Sequence, residues 1–298
     1  MPALIPNQGS PLMTLDEYDI SHPYTATLIS SERITPRTGP EVRHLVFQLP
    51  DDTSFDFLEG QSIAVLVPGP HEFGNKQHIR LYSIASTRRG DAAQPGAISI
   101  CVRRCFYIDD VSGERYPGKA SNYLCDAVPG NQIQIAGPYG AHFLMPADET
   151  RNLLMVGAGT GIAPFRAFIK HIYEEIGGWE GKVRLYYGAR SGMEMLYHND
   201  LNRDLGLFYD ERSFRAFEAV SARPFFEETS TLDRLLVEHQ IEVWEMINDP
   251  KTHVYIAGLR EAAGKFEKAM IAMAGSAQAW SGKRKQLIEE KRYAELLY

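Results

Sequence analysis

The sequence predicts two domains in tandem: an antiparallel β-barrel, then a doubly wound α/β domain built on a parallel sheet. Three observations carry this. The chain has 298 residues, which suits two domains of ordinary size. Between Tyr24 and Ala136 it shows six short alternating segments separated by Gly- and Pro-rich turns, the pattern of a small barrel. From Asn152 onward, apolar runs alternate with stretches of helical period.

Residues 1–20 contain three prolines and no strong period, so they read as an arm, with the barrel domain at 21–147 and the α/β domain at 148–298. The expected barrel strands are Thr25–Ile34, Arg43–Leu49, Ser62–Val67, Ile79–Ser86, Ala97–Arg104 and Gln132–Ala136. Turns such as Thr38-Gly39-Pro40 and Pro68-Gly69-Pro70 divide them. The composition changes after Gly137-Pro138-Tyr139-Gly140. Asn152–Val156 is a continuous apolar run, as expected of a strand covered on both faces. A glycine-rich turn follows, then a helix with Ile162, Phe165, Ile169, Ile172 and Ile176 on one stripe, Pro164 in its first turn and Gly177-Gly178 as its stop. The alternation continues as strand Val183–Tyr187, a helix near Glu194–Leu205, strand Phe214–Val220, helix Leu232–Ile247, strand His253–Ala257 and helix Glu261–Ala274.

Composition bounds the function. Hydrophobic residues make up 44%, enough for a core in each half. A net charge of −7 argues against a general nucleic-acid or membrane-surface protein. The three cysteines, Cys101, Cys105 and Cys125, form no C-x-x-C pair and are too few for a four-cysteine iron–sulfur site, so no metal centre is expected. A chain this large and cysteine-poor reads as cytoplasmic. No secretory signal is visible, and no apolar run approaches the length of a membrane span.

Three stretches carry chemistry. Arg80-Leu81-Tyr82-Ser83-Ile84-Ala85-Ser86 places a guanidinium, a phenol and a hydroxyl within four residues of one strand. These suit a flavin dinucleotide: the guanidinium for pyrophosphate, the phenol ring for stacking, the hydroxyl for a ring nitrogen. Cys101-Val102-Arg103-Arg104-Cys105-Phe106-Tyr107 is followed by Gly118-Lys119-Ala120-Ser121-Asn122-Tyr123-Leu124. Ser121 or Asn122 is expected to cap a short helix, whose N-terminus suits a phosphate, and Gly118 allows close backbone approach. Gly157-Ala158-Gly159-Thr160-Gly161-Ile162-Ala163-Pro164-Phe165 lies between a buried strand and a helix, the place for a second dinucleotide.

Taken together, these motifs resemble the plant-type ferredoxin–NADP reductase family and the related reductase modules of diflavin enzymes. The similarity covers roughly residues 24–298 and rests on Arg-Leu-Tyr-Ser-Ile-Ala-Ser, Cys-Val-Arg-Arg, Ser-Asn-Tyr-Leu-Cys-Asp, Gly-Pro-Tyr-Gly and Gly-Ala-Gly-Thr-Gly-Ile-Ala-Pro-Phe-Arg, in that order. The resemblance implies an FAD-binding barrel and an NADP-binding domain. It implies that Arg80 holds the FAD pyrophosphate and that Leu81 and Tyr82 line the flavin, with Tyr82 stacked on it. Ser83 would hydrogen-bond near flavin N5. Cys101 and Arg103 border the site, and Tyr107 would stack on the adenine. Gly118, Lys119, Ala120 and Ser121 would meet the phosphates. Gly159, Thr160 and Gly161 would line the nicotinamide end of NADP, Tyr298 would cover the other flavin face, and Glu295 would stand as the nearby family glutamate.

The sequence also departs from that family. Ala257-Gly258-Leu259 replaces Cys-Gly-Leu, and the chain ends Glu295-Leu296-Leu297-Tyr298 where the family has Glu-x-Tyr. Ser221, Arg223 and Arg190 form the set available for a 2′-phosphate, and no acidic residue directly follows Val220 to favour NAD. The expected activity is electron transfer between NADPH and ferredoxin or flavodoxin. The alternatives are the reductase component of an oxygenase system and a flavin-binding module without turnover. A basic patch of Arg33, Arg37, Lys76, Arg88, Arg89 and Arg115 is the expected docking surface for an acidic carrier.

Overall fold

A computed structural model describes residues 19–51, 53–69, 77–91, 94–109, 113–209, 211–221 and 231–298. The N-terminal half contains β1 (Tyr24–Arg33), β2 (Val42–Gln48), β3 (Ser62–Pro68), β4 (Gln77–Ser83), the two-residue strands β5 (Gly90–Asp91) and β6 (Gln94–Pro95), β7 (Ile98–Arg103), β8 (Phe106–Ile108), β9 (Arg115–Pro117), α1 (Lys119–Asp126) and β10 (Gln132–Tyr139). Six of these strands form one antiparallel sheet in the order β4-β3-β10-β1-β2-β7. The bridge Ile84↔Ile100 joins the first strand's continuation to the last strand, so the sheet closes into the expected barrel. Closure follows from the side-chain alternation. Ile63, Val65, Ala26, Leu28, Leu45, Phe47, Ile98 and Ile100 point inward into one core, each aliphatic contributing about 1.5–3 kcal/mol.

The C-terminal half contains β11 (Asn152–Ala158), a 3₁₀ turn (Gly159–Gly161), α2 (Ile162–Lys170) continuing as a widened turn (His171–Ile176), β12 (Val183–Ala189), β13 (Phe214–Val220), α3 (Leu232–Glu238), α4 (Gln240–Asn248), β14 (Thr252–Gly258), α5 (Arg260–Ala274), α6 (Ala277–Glu289) and β15 (Tyr293–Leu297). The five strands are parallel, in the order β13-β12-β11-β14-β15. Leu153, Met155, Tyr255 and Ala257 face α2, while Leu154, Val156, Val254 and Ile256 face α3 to α6. Both faces are therefore covered, which is why these strands read as unbroken apolar runs.

Three expectations are corrected. No helix forms over Glu194–Leu205; two 3₁₀ turns, Gly192–Glu194 and Asp204–Phe208, flank an irregular stretch. Asn199 accepts from the backbone N–H groups of Leu201 and Asn202, at 3.0 Å each, and Asn202 accepts from that of Asp204, so side chains replace helical partners. The helix expected at Leu232–Ile247 is two helices, because His239 leaves helical geometry at φ −100°, ψ 21°. Neither Ser121 nor Asn122 caps α1: Gly118 is the N-cap and has no side-chain cap bond. Asn122 lies inside the helix and donates to the carbonyls of Cys105 and Gly118, both at 2.8 Å.

The domains share a core. Ile34, Val42, Ala85, Cys101 and Phe143 of the barrel half pack with α2 and its sheet. At Gly60, φ +98°, a Cβ would lie 1.9 Å from the Phe143 carbonyl oxygen, so only glycine fits under that loop. Tyr255 Oη donates to the Leu144 carbonyl at 2.8 Å, and Asn199 to that of Ile34 at 2.9 Å.

Candidate active site

The cleft is built from the closing edge of the barrel and the C-terminal ends of β11 and β14. β4 carries Arg80 exposed and Leu81, Tyr82 and Ser83 half-buried. The Tyr82 ring packs at the edge of the barrel core, and burial pushes its phenol well above the ordinary tyrosine range. Among the described residues no side chain pairs with the Arg80 or the Arg103 guanidinium, whereas Arg104 is tied to Glu41, Asn122 and Asp126. α1 begins with no acid in its first turn and no capping side chain, leaving the N–H groups of Ala120 and Ser121 without intrahelical acceptors. Ser121 Oγ is already engaged: it accepts from the Cys105 N–H at 3.1 Å and donates to the Gly118 carbonyl at 3.3 Å. Its backbone is thus the available donor. Two unneutralised guanidiniums and an uncapped helix start form a donor set that fits the pyrophosphate of FAD.

The hairpin β8–β9 displays Tyr107, 50% exposed, stacked on Tyr116 with centroids 5.6 Å apart, while the Arg115 guanidinium lies 3.8 Å from the Phe106 ring centre. An exposed aromatic platform of this kind fits an adenine. The sequence reading singled out Tyr107 alone; the cross-strand pairing Tyr107↔Tyr116 supplies the second ring.

On the other side, Gly161 packs so tightly that a Cβ would lie 2.2 Å from the Ala257 carbonyl oxygen, whereas Gly159, at φ +55°, faces open space. Thr160 lies between them, and its Oγ1 is 2.5 Å from Tyr298 Oη. Tyr187 Oη donates to the Gly159 carbonyl at 2.8 Å and braces the turn from below. Tyr298 is 40% exposed, and its backbone N–H donates to the Gly258 carbonyl at 3.2 Å. Its phenol feels Cys101, Cys105 and Arg103 of the barrel side. Thr160 and Tyr298 therefore meet on the β7 side of the barrel.

Glu295 does not join them. Its carboxylate accepts from Arg284 at 2.8 Å and from Tyr293 Oη at 2.6 Å, on the α6 side of β15. Tyr293 and Leu297 share that side, while Ala294 and Leu296 face the interdomain core. Strand side chains alternate, so the extra residue before Tyr298 turns the glutamate to the opposite face.

At the far end, the register Ala189↔Val220 sets Arg190 beside Ser221 at the C-terminal ends of β12 and β13. Arg190 is exposed and Ser221 buried. Arg223 lies outside the described residues, as does Lys76. Of the other arginines expected in a docking patch, Arg33 donates to the carbonyls of Thr35, Pro36 and Gly39, and Arg88 pairs with Glu59.

A buried ionic network was missed by the sequence reading. Arg166 donates to Asp91 at 2.7 and 2.9 Å and to the Ala85 carbonyl at 2.7 Å, and also pairs with Asp204. Burial raises the Asp91 pKa, but His44 and Arg166 outweigh it and hold the carboxyl well below the usual range. The one signal was a charge at Arg166 inside an otherwise apolar helix stripe.

An antiparallel barrel with a helix-start phosphate site, joined to a parallel sheet with a glycine-rich turn, defines a two-domain flavin and nicotinamide oxidoreductase. Residues 26–143 match the oxidoreductase FAD-binding domain family and residues 155–268 the oxidoreductase NAD-binding domain family. The chain is 36% identical over 284 residues to a ferredoxin–NADP reductase from Spirulina, covering 93% of this chain and 95% of that protein. It is 34% identical over 280 residues to the cyanelle ferredoxin–NADP reductase of Cyanophora paradoxa, covering 92% and 76%. The fold is also that of the Plasmodium falciparum ferredoxin–NADP⁺ reductase, with TM-score 0.69 at 19% identity over 95% of this chain and 98% of the other. This chain belongs to the ferredoxin–NADP reductase family.

Proposed function

We propose that the protein is an FAD-dependent reductase that carries electrons between NADPH and ferredoxin. The observation that carries this reading is the contact of Thr160 with Tyr298, whose phenol feels Cys101 and Arg103 of β7, the strand bridged to the end of β4 that presents Tyr82 and Ser83. FAD, when bound, accepts a two-electron hydride and hands on single electrons.

The chain's own residues do the rest. Arg80, Arg103 and the N–H groups of Ala120 and Ser121 bind the pyrophosphate, with Lys119 beside them at the helix start. Tyr82 and Tyr298 bracket the flavin ring, Ser83 orients it by a hydrogen bond, and Tyr107 holds the adenine. Leu81 and Cys101 fill the apolar border, and Gly118 lets the phosphate approach. Gly159, Thr160 and Gly161 seat the nicotinamide end, Arg190 and Ser221 take the 2′-phosphate, and Arg223 adds to it. Glu295 is a strand-anchoring residue in this reading, bound to Arg284 and Tyr293. In the same reading the boundary between the two halves lies near residue 147, between β10 and β11. Among the described residues no helix is long and apolar enough to cross a membrane. Three free thiols fit a reducing, cytoplasmic setting.

The test is direct. Protein purified with FAD should be yellow, and NADPH should bleach it without oxygen. Ferredoxin should then restore the colour and flavodoxin serve as a second acceptor. A colourless protein that neither binds FAD nor responds to NADPH would sink the proposal.

A further inference from the structure

Electron flow from NADPH to two one-electron acceptors leaves one proton over: NADPH + 2 A(ox) gives NADP⁺ + H⁺ + 2 A(red). On the flavin reading of the site, on which this inference rests, that proton has to leave a place enclosed between two domains. The residue two before the terminal tyrosine, on the face toward the interdomain core, is Leu296, which cannot carry a proton, and Glu295 is turned to the other face.

A different polar row begins at the same strand edge. The bridge Ile84↔Ile100 sets Ser83 of β4 opposite Cys101 of β7. β7 in turn sets Cys101 opposite His44 of β2, and β2 sets His44 opposite Glu32 of β1. Directly opposed residues share a face. Ser83, Cys101, His44 and Glu32 thus run across four adjacent strands on the outer side of the barrel, beneath the α/β domain.

Tyr197, from the loop after β12, completes the row. Its hydroxyl is 2.9 Å from His44 Nδ1 and also meets the Cys101 thiol. The other ring nitrogen, His44 Nε2, is 3.2 Å from Asp91 Oδ2. A hydroxyl, an imidazole and a buried carboxylate in this order let the imidazole take a proton from the hydroxyl while the carboxylate steadies the cation. Arg166 fixes the carboxylate, and its guanidinium lies 5.1 Å from the Tyr197 ring centre. Serine, thiol, phenol and imidazole each both donate and accept, so a proton can pass without any of them being left charged. Arginine and lysine, which only donate, are absent from the row itself.

The row opens into solvent. His44 and Asp91 line an interdomain cavity of about 810 Å³, together with Glu32, Lys170, Glu174 and Asp204. None of Arg80, Tyr82, Thr160 or Tyr298 lines it, so this cavity is separate from the dinucleotide cleft.

We propose that Cys101, Tyr197 and His44 form a proton path from Ser83 to this cavity. The groups facing His44 are Tyr197 and Cys101 on one side and Asp91 and Glu32 on the other, with Arg166 behind Asp91.

The experiment reduces the bound flavin with pre-reduced methyl viologen, a one-electron donor that releases no proton, in the absence of NADPH and carrier, and follows proton uptake with a pH-indicator dye. Wild type is first checked for FAD retention and NADPH bleaching. Tyr197→Phe, which keeps the ring under Arg166, and His44→Phe are expected to retain the flavin spectrum. Both should slow proton uptake about a hundredfold, the lower range for a displaced acid–base group. In apoprotein, the nuclear magnetic resonance signals of the His44 ring should move in Tyr197→Phe, which removes the hydroxyl 2.9 Å from Nδ1. A wild type that binds and reduces FAD, with uptake unchanged in both variants, overturns the path alone. A wild type that does not bind FAD overturns the reading of the site and the path with it.

Discussion

The hydroxyl of Tyr298, the last residue of the chain, lies 2.5 Å from Thr160 Oγ1 in the glycine-rich turn after β11. On the proposed reading, this one hydrogen bond holds the C-terminal ring where the nicotinamide would lie, and a coenzyme would displace the ring to approach the flavin. Thr160→Val should release the ring and tighten NADP⁺ binding by about 1 kcal/mol, roughly fivefold. Difference spectroscopy of the flavin on NADP⁺ addition reads the effect. Weaker binding instead would show that the Thr160 hydroxyl serves the coenzyme rather than Tyr298.

Arg166 and Asp91 form an ion pair across the domain boundary, with side-chain exposures of 5% and 2%. Removing one partner leaves a buried charge uncompensated. Arg166→Ala should destabilise the protein by about 3–5 kcal/mol, and Arg166→Met with Asp91→Leu by much less. Urea unfolding of the single and double variants gives the comparison. Equal losses would mean that the pair is not coupled.

Coenzyme choice is expected at the sheet edge. Arg190→Ala should raise KM for NADPH, with a loss of about 1.5–3 kcal/mol or one to two powers of ten in kcat/KM, and leave NADH use nearly unchanged. Arg223→Ala should act in the same direction. Steady-state kinetics with both coenzymes separate the contributions. Equal losses for NADPH and NADH would remove these arginines from the 2′-phosphate site.

His253, in β14, should give stability an acid limb. Burial, and then the charges of Arg151 and Arg292, push its pKa down to about 4. The unfolded chain takes up the proton near the ordinary histidine value, about 6.5, and the folded chain only near 4. Stability from this group is thus present above pH 6.5 and lost as pH falls toward 4. His253→Asn should flatten that part of the profile in thermal melts. An unchanged slope would assign the limb to carboxylates.

Much of this was legible in the sequence, for physical reasons that differ by element. The barrel strands show because one face of each is buried, and the α/β strands because both are. Arg80, Tyr82 and Ser83 show because such groups are out of place in a plain core strand. The stretch from Glu194 to Leu205 misled because its apolar spacing is helical, while the Asn199 and Asn202 side chains take the backbone bonds a helix would use. α6 and β15 were not anticipated, and with them the face of Glu295. The residue order gave a glutamate near the end of the chain. Only the strand's alternation shows that Leu296 faces the interdomain core in its place. The Arg166–Asp91 pair spans 75 residues, a distance no local period reports.

The central claim is that one cleft joins a two-electron donor to a one-electron acceptor through FAD. Its most direct measurement is an anaerobic titration of the FAD-loaded protein, with limiting NADPH and excess oxidised ferredoxin. Two ferredoxins should be reduced for each NADPH consumed, and the flavin should return to its oxidised spectrum. NADPH consumed with no ferredoxin reduced, or a flavin that NADPH fails to bleach, would contradict it.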